Sequence, residues 1–357
     1  MAAWRIGRRD RHIVILVFII VLVAAVLLGT RGISVFDAKS YAANLIIYAS
    51  VVLLYVALRT LKITVVERPE KLIASILERE FSRSQRQRLW DALPVLLSLV
   101  IFMPAFSALK SAIPLLNAFS WDGYFIDLDI QIHGMHAWQL IHPAVGYPLV
   151  TAVLALLYHL WVVLIYAGSI FFAFYGKDAA LRQRYFLAYF LSWSFVGALL
   201  ATVFSSVGPC FVEPIVGRDD FAPLMQYLNE ANRHYPIMVL DVQNLLLTEY
   251  HNAAGGLGRG ITAMPSMHVS LAFLFFLAMR HVSRAAAWAF GIFFAAILIG
   301  SVHLAYHYAV DGYVSIIVTA AIWKLAGWWS ARTGGFAGGQ TFHDERSSRN
   351  EAIYPVT

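Results

Sequence analysis

The sequence predicts an all-α fold: a polytopic membrane bundle of about eight transmembrane helices. Three observations carry that expectation. Apolar residues fill 60% of 357 positions and charged residues only 13%, with a mean hydropathy of +0.67, outside the soluble range. Eight apolar runs approach the roughly 20 residues that a bilayer crossing needs. With the N-terminus placed in the cytoplasm, 21 of the 27 lysines and arginines fall on the inner side and 6 on the outer, a bias that holds across all eight runs.

The first run, 13–29, follows Arg5, Arg8, Arg9 and Arg11, and no small-x-small cleavage site closes it. It reads as a retained anchor rather than a secretory signal. The second covers 41–61. Residues 62–90 mix apolar and basic positions at helical spacing, as in "ILEREFSRSQRQRLWDAL", and predict a helix lying on the inner surface. The third run is 92–109. The stretch 111–145 is too polar to cross and too apolar to float. It predicts an outer interfacial segment, with Trp121, Tyr124 and Trp138 at headgroup level. The fourth and fifth runs are 147–175 and 185–207. Residues 208–265 form the longest outer loop, without a core large enough to fold alone. The remaining runs are 267–279, 285–302 and 308–329, the first of them short. From Thr333 the chain reads as a disordered cytoplasmic tail. Three regions follow: an added pair with its surface helix over 1–91, a six-helix domain over 92–329, and a tail over 330–357.

The net charge of +6 reflects loop bias and attraction to anionic inner-leaflet lipid, and no nucleic-acid motif accompanies it. The single cysteine, Cys210, excludes an internal disulfide framework and a multi-cysteine metal site, and reads as a packing residue. "GGLGRG" (255–260) resembles a nucleotide fingerprint only superficially, since no strand precedes it.

Two constellations carry chemistry. "AMPSMHVSLAF" (263–273) places Ser266 as the N-cap of the sixth run and His268 in its first turn, where unpaired backbone N–H groups suit an anion. In "GSVHLAYHYAVDGY" (300–313), His307 and Asp311 are four residues apart and share a helical face. A carboxylate in reach of an imidazole fixes its tautomer and raises the basicity of the other nitrogen, which suits a nucleophile. Alone, a His-x3-Asp pair is more often a simple interhelical contact. Here both groups fall at the outer ends of their runs, so the pocket is expected where they converge.

"PSMH" and "HYAVDGY" resemble the second and third signature motifs of the type 2 phosphatidic acid phosphatase superfamily, P-S-G-H and S-R-x5-H-x3-D. The resemblance covers 92–329 and implies a six-helix core of that type. It implies His307 as the nucleophile that carries a covalent phosphate, with Asp311 orienting it. It implies His268 as the group that protonates the leaving oxygen, with Ser266 a donor to phosphate. The departures are Met267 for the motif glycine and Gly300-Ser301 for Ser-Arg. In the first motif, K-x6-R-P, Lys110 is kept but Asn117 and Ala118 stand at the Arg-Pro positions. Lys62 with Arg68-Pro69 is one residue short, lies on the cytoplasmic side and reads as a decoy. Phosphoryl transfer rests on positioning and electrostatics, so two missing arginines point either to a substitute such as Arg259 or to a less charged phosphodiester.

The pattern is similar to the branch containing inositol phosphorylceramide synthase and sphingomyelin synthase, to which "SSVGPCFVEP" (205–214) and "WDGYFIDLD" (121–129) add weaker likeness. Gly208-Pro209 also fits a plain helix end. What the resemblance implies is a lipid phosphotransferase with a phospholipid donor and a lipid or alcohol acceptor. The alternative is a lipid phosphatase using water, and a transporter or scaffold without chemistry is a third reading. No cofactor or metal is expected. His303 could join a metal set with His268, but a contact to phosphate or acceptor is the preferred role. Asp122, Asp127 and Asp129 could orient an acceptor hydroxyl or cap and solvate the interfacial helices, and the second is the preferred role. His159 reads as an interhelical hydrogen bond, and His133, His136 and His142 as interfacial anchors. Compact loops favour a bacterial inner membrane with the site facing the periplasm; a Golgi membrane with a lumenal site is the alternative.

Overall fold

The computed structural model describes residues 3–80, 82–252 and 260–338. Among the described residues all regular structure is helical. Seven helices among the described residues are long and apolar enough to cross a membrane: α1 (Ala3–Gly29) and α2 (Ala38–Glu67); α4 (Arg83–Ser111), after the short α3 (Leu72–Glu80); α7 (Pro148–Ala173) and α8 (Ala179–Val203); and α12 (Arg284–His303) and α13 (Ala309–Gly338). Between α4 and α7 lie the short helices α5 (Asp122–His133) and α6 (Ala137–Val145), and between α8 and α12 lie α9 (Ala222–His234), α10 (Val239–His251) and α11 (Met267–Met279).

The sixth expected crossing is α11, with 13 residues. At 1.5 Å per residue it spans about 20 Å, short of a hydrocarbon core of roughly 30 Å. It does not need to reach lipid at both ends, because Leu271, Ala272, Leu274 and Phe275 are buried among neighbouring helices. Its N-terminus therefore stops inside the bundle, and a recess forms above it.

The surface helix expected over 62–90 divides. α2 runs on to Glu67 through a widened last turn, α3 is separate, and α4 begins at Arg83 and continues unbroken through residue 91. The basic residues 83–88 thus open a crossing helix. Helix starts follow side-chain chemistry: Asp37, Ser82, Asp178, Ser266 and Ser283 each accept a backbone N–H in the first turn that follows. The helix of α13 extends to Gly338, and the rest of the expected tail lies outside the described residues.

α1 and α2 pack against the other helices. Arg182 of α8 donates to both oxygens of Asp10 at 2.6 and 2.9 Å, with both side chains almost fully buried. The same guanidinium reaches the carbonyls of Ala173 and Asp91. The starts of α1, α4 and α8 therefore meet at one end of the bundle, as antiparallel crossings require. Asn44 of α2 donates to the Leu99 and Val100 carbonyls in α4, whose hydrogen-bond ladder is interrupted at Pro104.

Candidate active site

Residues 204–211 connect α8 to the outer helices, and the site is assembled around them. The Ser205 carbonyl accepts from Ser120 and Trp121 at 3.1 and 3.3 Å. Ser206 accepts the Ala263 amide at its carbonyl and the Met264 amide at its hydroxyl, which holds the extended chain leading into α11. The Val207 and Gly208 amides donate to Asp122, and the Cys210 amide donates to the Ala305 carbonyl at 2.8 Å. Gly208 has φ +88°, and a Cβ there would stand 2.5 Å from the Tyr306 carbonyl oxygen. Only glycine lets these two backbones touch.

Two carboxylates of α5 complete the frame. Asp122 also accepts the Tyr308 hydroxyl at 2.7 Å. Asp129, two turns on, accepts the Ala309 and Val310 amides at 3.2 and 3.0 Å, in the first turn of the helix that carries Asp311. Burial pushes the Asp129 carboxyl above its ordinary range, and those two amides pull it partly back. α5 is thus a brace for the segment 304–311.

The two histidines stand on this frame. His268 lies in the first turn of α11, with Ser266 accepting the Val269 amide at 3.3 Å. The imidazole sits against Tyr158 and Trp161 of α7, with ring centroids 4.1 and 4.0 Å away. The Nδ1–H of His307 donates to Asp311 Oδ2 at 3.2 Å, and the same oxygen accepts the Tyr308 amide. The Ser301 carbonyl accepts the His307 amide, fixing the backbone before α13. The ring centroids of His268 and His307 are 6.1 Å apart.

Both histidines line one cavity of about 400 Å³, together with Lys110, His159, Tyr158 and Tyr306. Its deeper walls are apolar, with Phe106, Trp161, Ile165 and Trp193 among them. Met267, at the motif-glycine position, also lines it and packs against Gly197 of α8.

A family model described as the PAP2 superfamily matches residues 124–325, more than half of the chain. The chain belongs to the PAP2 superfamily. The match includes His268, His307 and Asp311, whereas Lys110 and the helices α1, α2 and α4 precede it. No curated protein and no solved structure matches the chain.

Within this PAP2 member several residues expected at the pocket sit elsewhere. Asn117 donates to the Thr202 and Val203 carbonyls and closes the end of α8. Asp122 is buried in the brace, and Asp127 is exposed on the same helix. His303 is fully buried behind the site; its Nε2 is bonded to Thr151 Oγ1 at 2.8 Å and its ring lies 5.9 Å from that of His142. Gly208 and Pro209 belong to the connecting hub, and Ser266 is enclosed with its hydroxyl oxygen on the helix cap. Arg259 lies outside the described residues. Lys62 and Arg68 are at the far end of α2 from the site.

His159 departs from its expected interhelical role. Its Nδ1–H donates to the Ala155 carbonyl of its own helix, and the ring lines the cavity. Tyr158, Trp161 and Tyr306 were not singled out from sequence. The pair Tyr158 and Trp161, three apart on one helical face beside a mid-span histidine, was the available signal. Among the described residues, no three His, Cys, Asp or Glu side chains gather as a metal-ligand set.

Proposed function

We propose that the chain is an integral-membrane lipid phosphotransferase. It moves a phospho-headgroup from a phospholipid donor to a lipid or alcohol acceptor through a phosphohistidine at His307. The single observation that carries this reading is one cavity holding two facing imidazoles, one of them on a buried carboxylate, with Lys110 beside them.

The Nε2 of His307 attacks phosphorus while Asp311 holds Nδ1–H and stabilises the cation formed on attack. His268 gives its proton to the departing alkoxide. In the second half, the acceptor hydroxyl attacks the phosphohistidine, its proton passes to His268, and the P–N bond breaks with its electron pair returning to His307. Lys110 offsets charge on the non-bridging oxygens. Lysine is the one fixed cation among the described cavity residues. One such charge suits a phosphodiester monoanion better than a phosphomonoester near its dianion, which favours transfer over simple phosphatase chemistry. The residues required include no metal. The distribution of basic residues supports a cytoplasmic N-terminus and an outward-facing site, periplasmic in a bacterial inner membrane.

The test is purified protein given phospholipid labelled in its headgroup phosphate, with and without an alcohol acceptor. Acceptor-dependent labelled lipid is the expected result. Water-soluble labelled headgroup phosphate that ignores the acceptor would make the enzyme a phosphatase, and no turnover would sink both readings.

A further inference from the structure

α4 brings Lys110 to the reaction cavity across a break in its own helix. Met103, Phe106, Ser107 and Lys110 line the cavity at helical spacing, and all but Met103 follow Pro104. A proline inside a helix has no N–H for the carbonyl four residues earlier, and its ring crowds that carbonyl and bends the helix. Here that carbonyl belongs to Val100. At 1.5 Å per residue Lys110 stands about 9 Å beyond the break, so changing the bend by about 10° shifts its backbone by about 1.5 Å. A displacement of that size is enough to lose a contact made to a reacting group.

The missing donor comes from α2. Asn44 is fully buried, and its Nδ2 donates to the Val100 carbonyl at 3.0 Å and to the Leu99 carbonyl at 3.3 Å. A side-chain amide thus stands in for the backbone hydrogen that Pro104 lacks. An asparagine buried in a crossing helix is costly unless its amide is used, and Asn44 spends it on a carbonyl that α4 cannot satisfy itself. The Tyr166 hydroxyl of α7 donates to Asn44 Oδ1 at 3.5 Å, and both Tyr166 and Ile47, one turn on from Asn44, line the reaction cavity. Another face of the same half of α4 is held by α1 and its connection to α2. Ala24, Leu28, Val35 and Ala112 form an apolar cluster with Ala108 and Leu109 packed on it, and Arg31 donates to the Leu115 carbonyl at 2.7 Å.

We infer that Asn44 is a positioning residue for phosphate recognition: by capping the Val100 carbonyl it fixes the bend at Pro104 and so aims Lys110 at the phosphate. This role rests on the reading of Lys110 given above. It makes the α1–α2 pair, which precedes the matched family region, a working part of the site rather than an added anchor. Asn44 itself touches no substrate; it acts through the lysine.

The test is a double-mutant cycle between Asn44 and Lys110. Full-length His307→Ala protein in detergent is titrated with a fluorescent lysophosphatidate, which is anionic, and a fluorescent monoacylglycerol, which is neutral. Asn44→Leu is close in size and removes both donors. With Lys110 in place it should weaken lysophosphatidate binding by about three- to tenfold, part of what a charge-assisted hydrogen bond contributes. In the Lys110→Met background the same change should cost less than about twofold, and monoacylglycerol binding should stay within about twofold throughout. A packing role alone gives equal loss in both backgrounds and for both probes; that result, or no loss at all, overturns the inference. Lys110→Met without effect on lysophosphatidate takes away the Lys110 reading and this one together. Circular dichroism checks helix content, and Asn44→Ala replaces the leucine variant if that protein does not fold. Turnover of headgroup-labelled phospholipid by protein with His307 intact should follow the same cycle. Absence of turnover with the binding cycle as expected rejects transfer and keeps the role of Asn44.

Discussion

Removing the Asp122 carboxylate should loosen the site without touching either cavity imidazole. Its Oδ1 accepts from the Val207 amide, the Gly208 amide and the Tyr308 hydroxyl at 3.0, 3.0 and 2.7 Å, and Oδ2 accepts the Val207 amide at 3.0 Å. Asp122→Ala leaves three buried donors without an acceptor. At about 1–3 kcal/mol per orphaned group, and allowing for water entering the space, the expected loss is about 3–5 kcal/mol. Asp122→Asn behaves differently. An oxygen at the Oδ1 position keeps its three donors, while an amide at the Oδ2 position faces the Val207 N–H, donor against donor. Its expected cost is about 1–2 kcal/mol, with part of the charge assistance lost. Cys210, the single cysteine, is buried two residues beyond Gly208 and reports opening of this hub to a thiol-reactive dye. Thermal scans with that dye, alongside circular dichroism, should place the alanine variant on the order of 5–10 °C below the parent and the asparagine variant between them. Turnover should fall in the same order. An alanine variant that melts with the parent, or an asparagine variant equally damaged, would refute the brace.

Further outcomes follow from particular contacts. Asp10→Ala leaves Arg182 charged and buried, and should cost about 3–5 kcal/mol in thermal unfolding, whereas replacing both partners by apolar residues should recover much of it. Gly208→Ala must place a Cβ 2.5 Å from a backbone oxygen at positive φ, and is expected to abolish turnover and expose Cys210 to the dye at temperatures where the parent is protected. Lys110→Ala is expected to reduce turnover on phospholipid by about 10²-fold or more, since it removes a charge that offsets the transition-state oxygens. Activity should survive excess EDTA, because the reaction residues need no metal; loss of turnover restored by one divalent ion would contradict that.

Much of the bundle was legible because bilayer crossing constrains sequence severely: apolar runs and basic loops follow directly from the cost of burying backbone and charge in hydrocarbon. The short α11 was visible too, as was the cap at Ser266. Less legible were the boundaries on the inner side, where Arg83–Arg88 read as a surface helix yet begin α4. A basic first turn is compatible with either state. The pairing of His307 with Asp311 is local, but not on a shared helical face as the spacing predicts: His307 stands in the connection just before α13 and Asp311 in its first turn, and closeness in sequence is what brings them together. Contacts across the chain lack that closeness. Asp122 binds residues 85 and more positions away, and nothing in "WDGYFIDLD" tells a brace from a pocket residue. His303 looked like a site residue because it repeats the spacing from His307. The turn at Ala305, with φ +61°, breaks the helix between them and sends the two rings to different neighbours.

The central claim is that phosphorus becomes bonded to His307. Headgroup-labelled phospholipid mixed with enzyme and quenched in base within a single turnover should leave label on the protein, stable to base and labile to acid. Mass spectrometry should locate it on residue 307, and it should be absent from His307→Ala protein. Product formed at the same rate with no label ever on the chain, or label on another residue, would contradict the account.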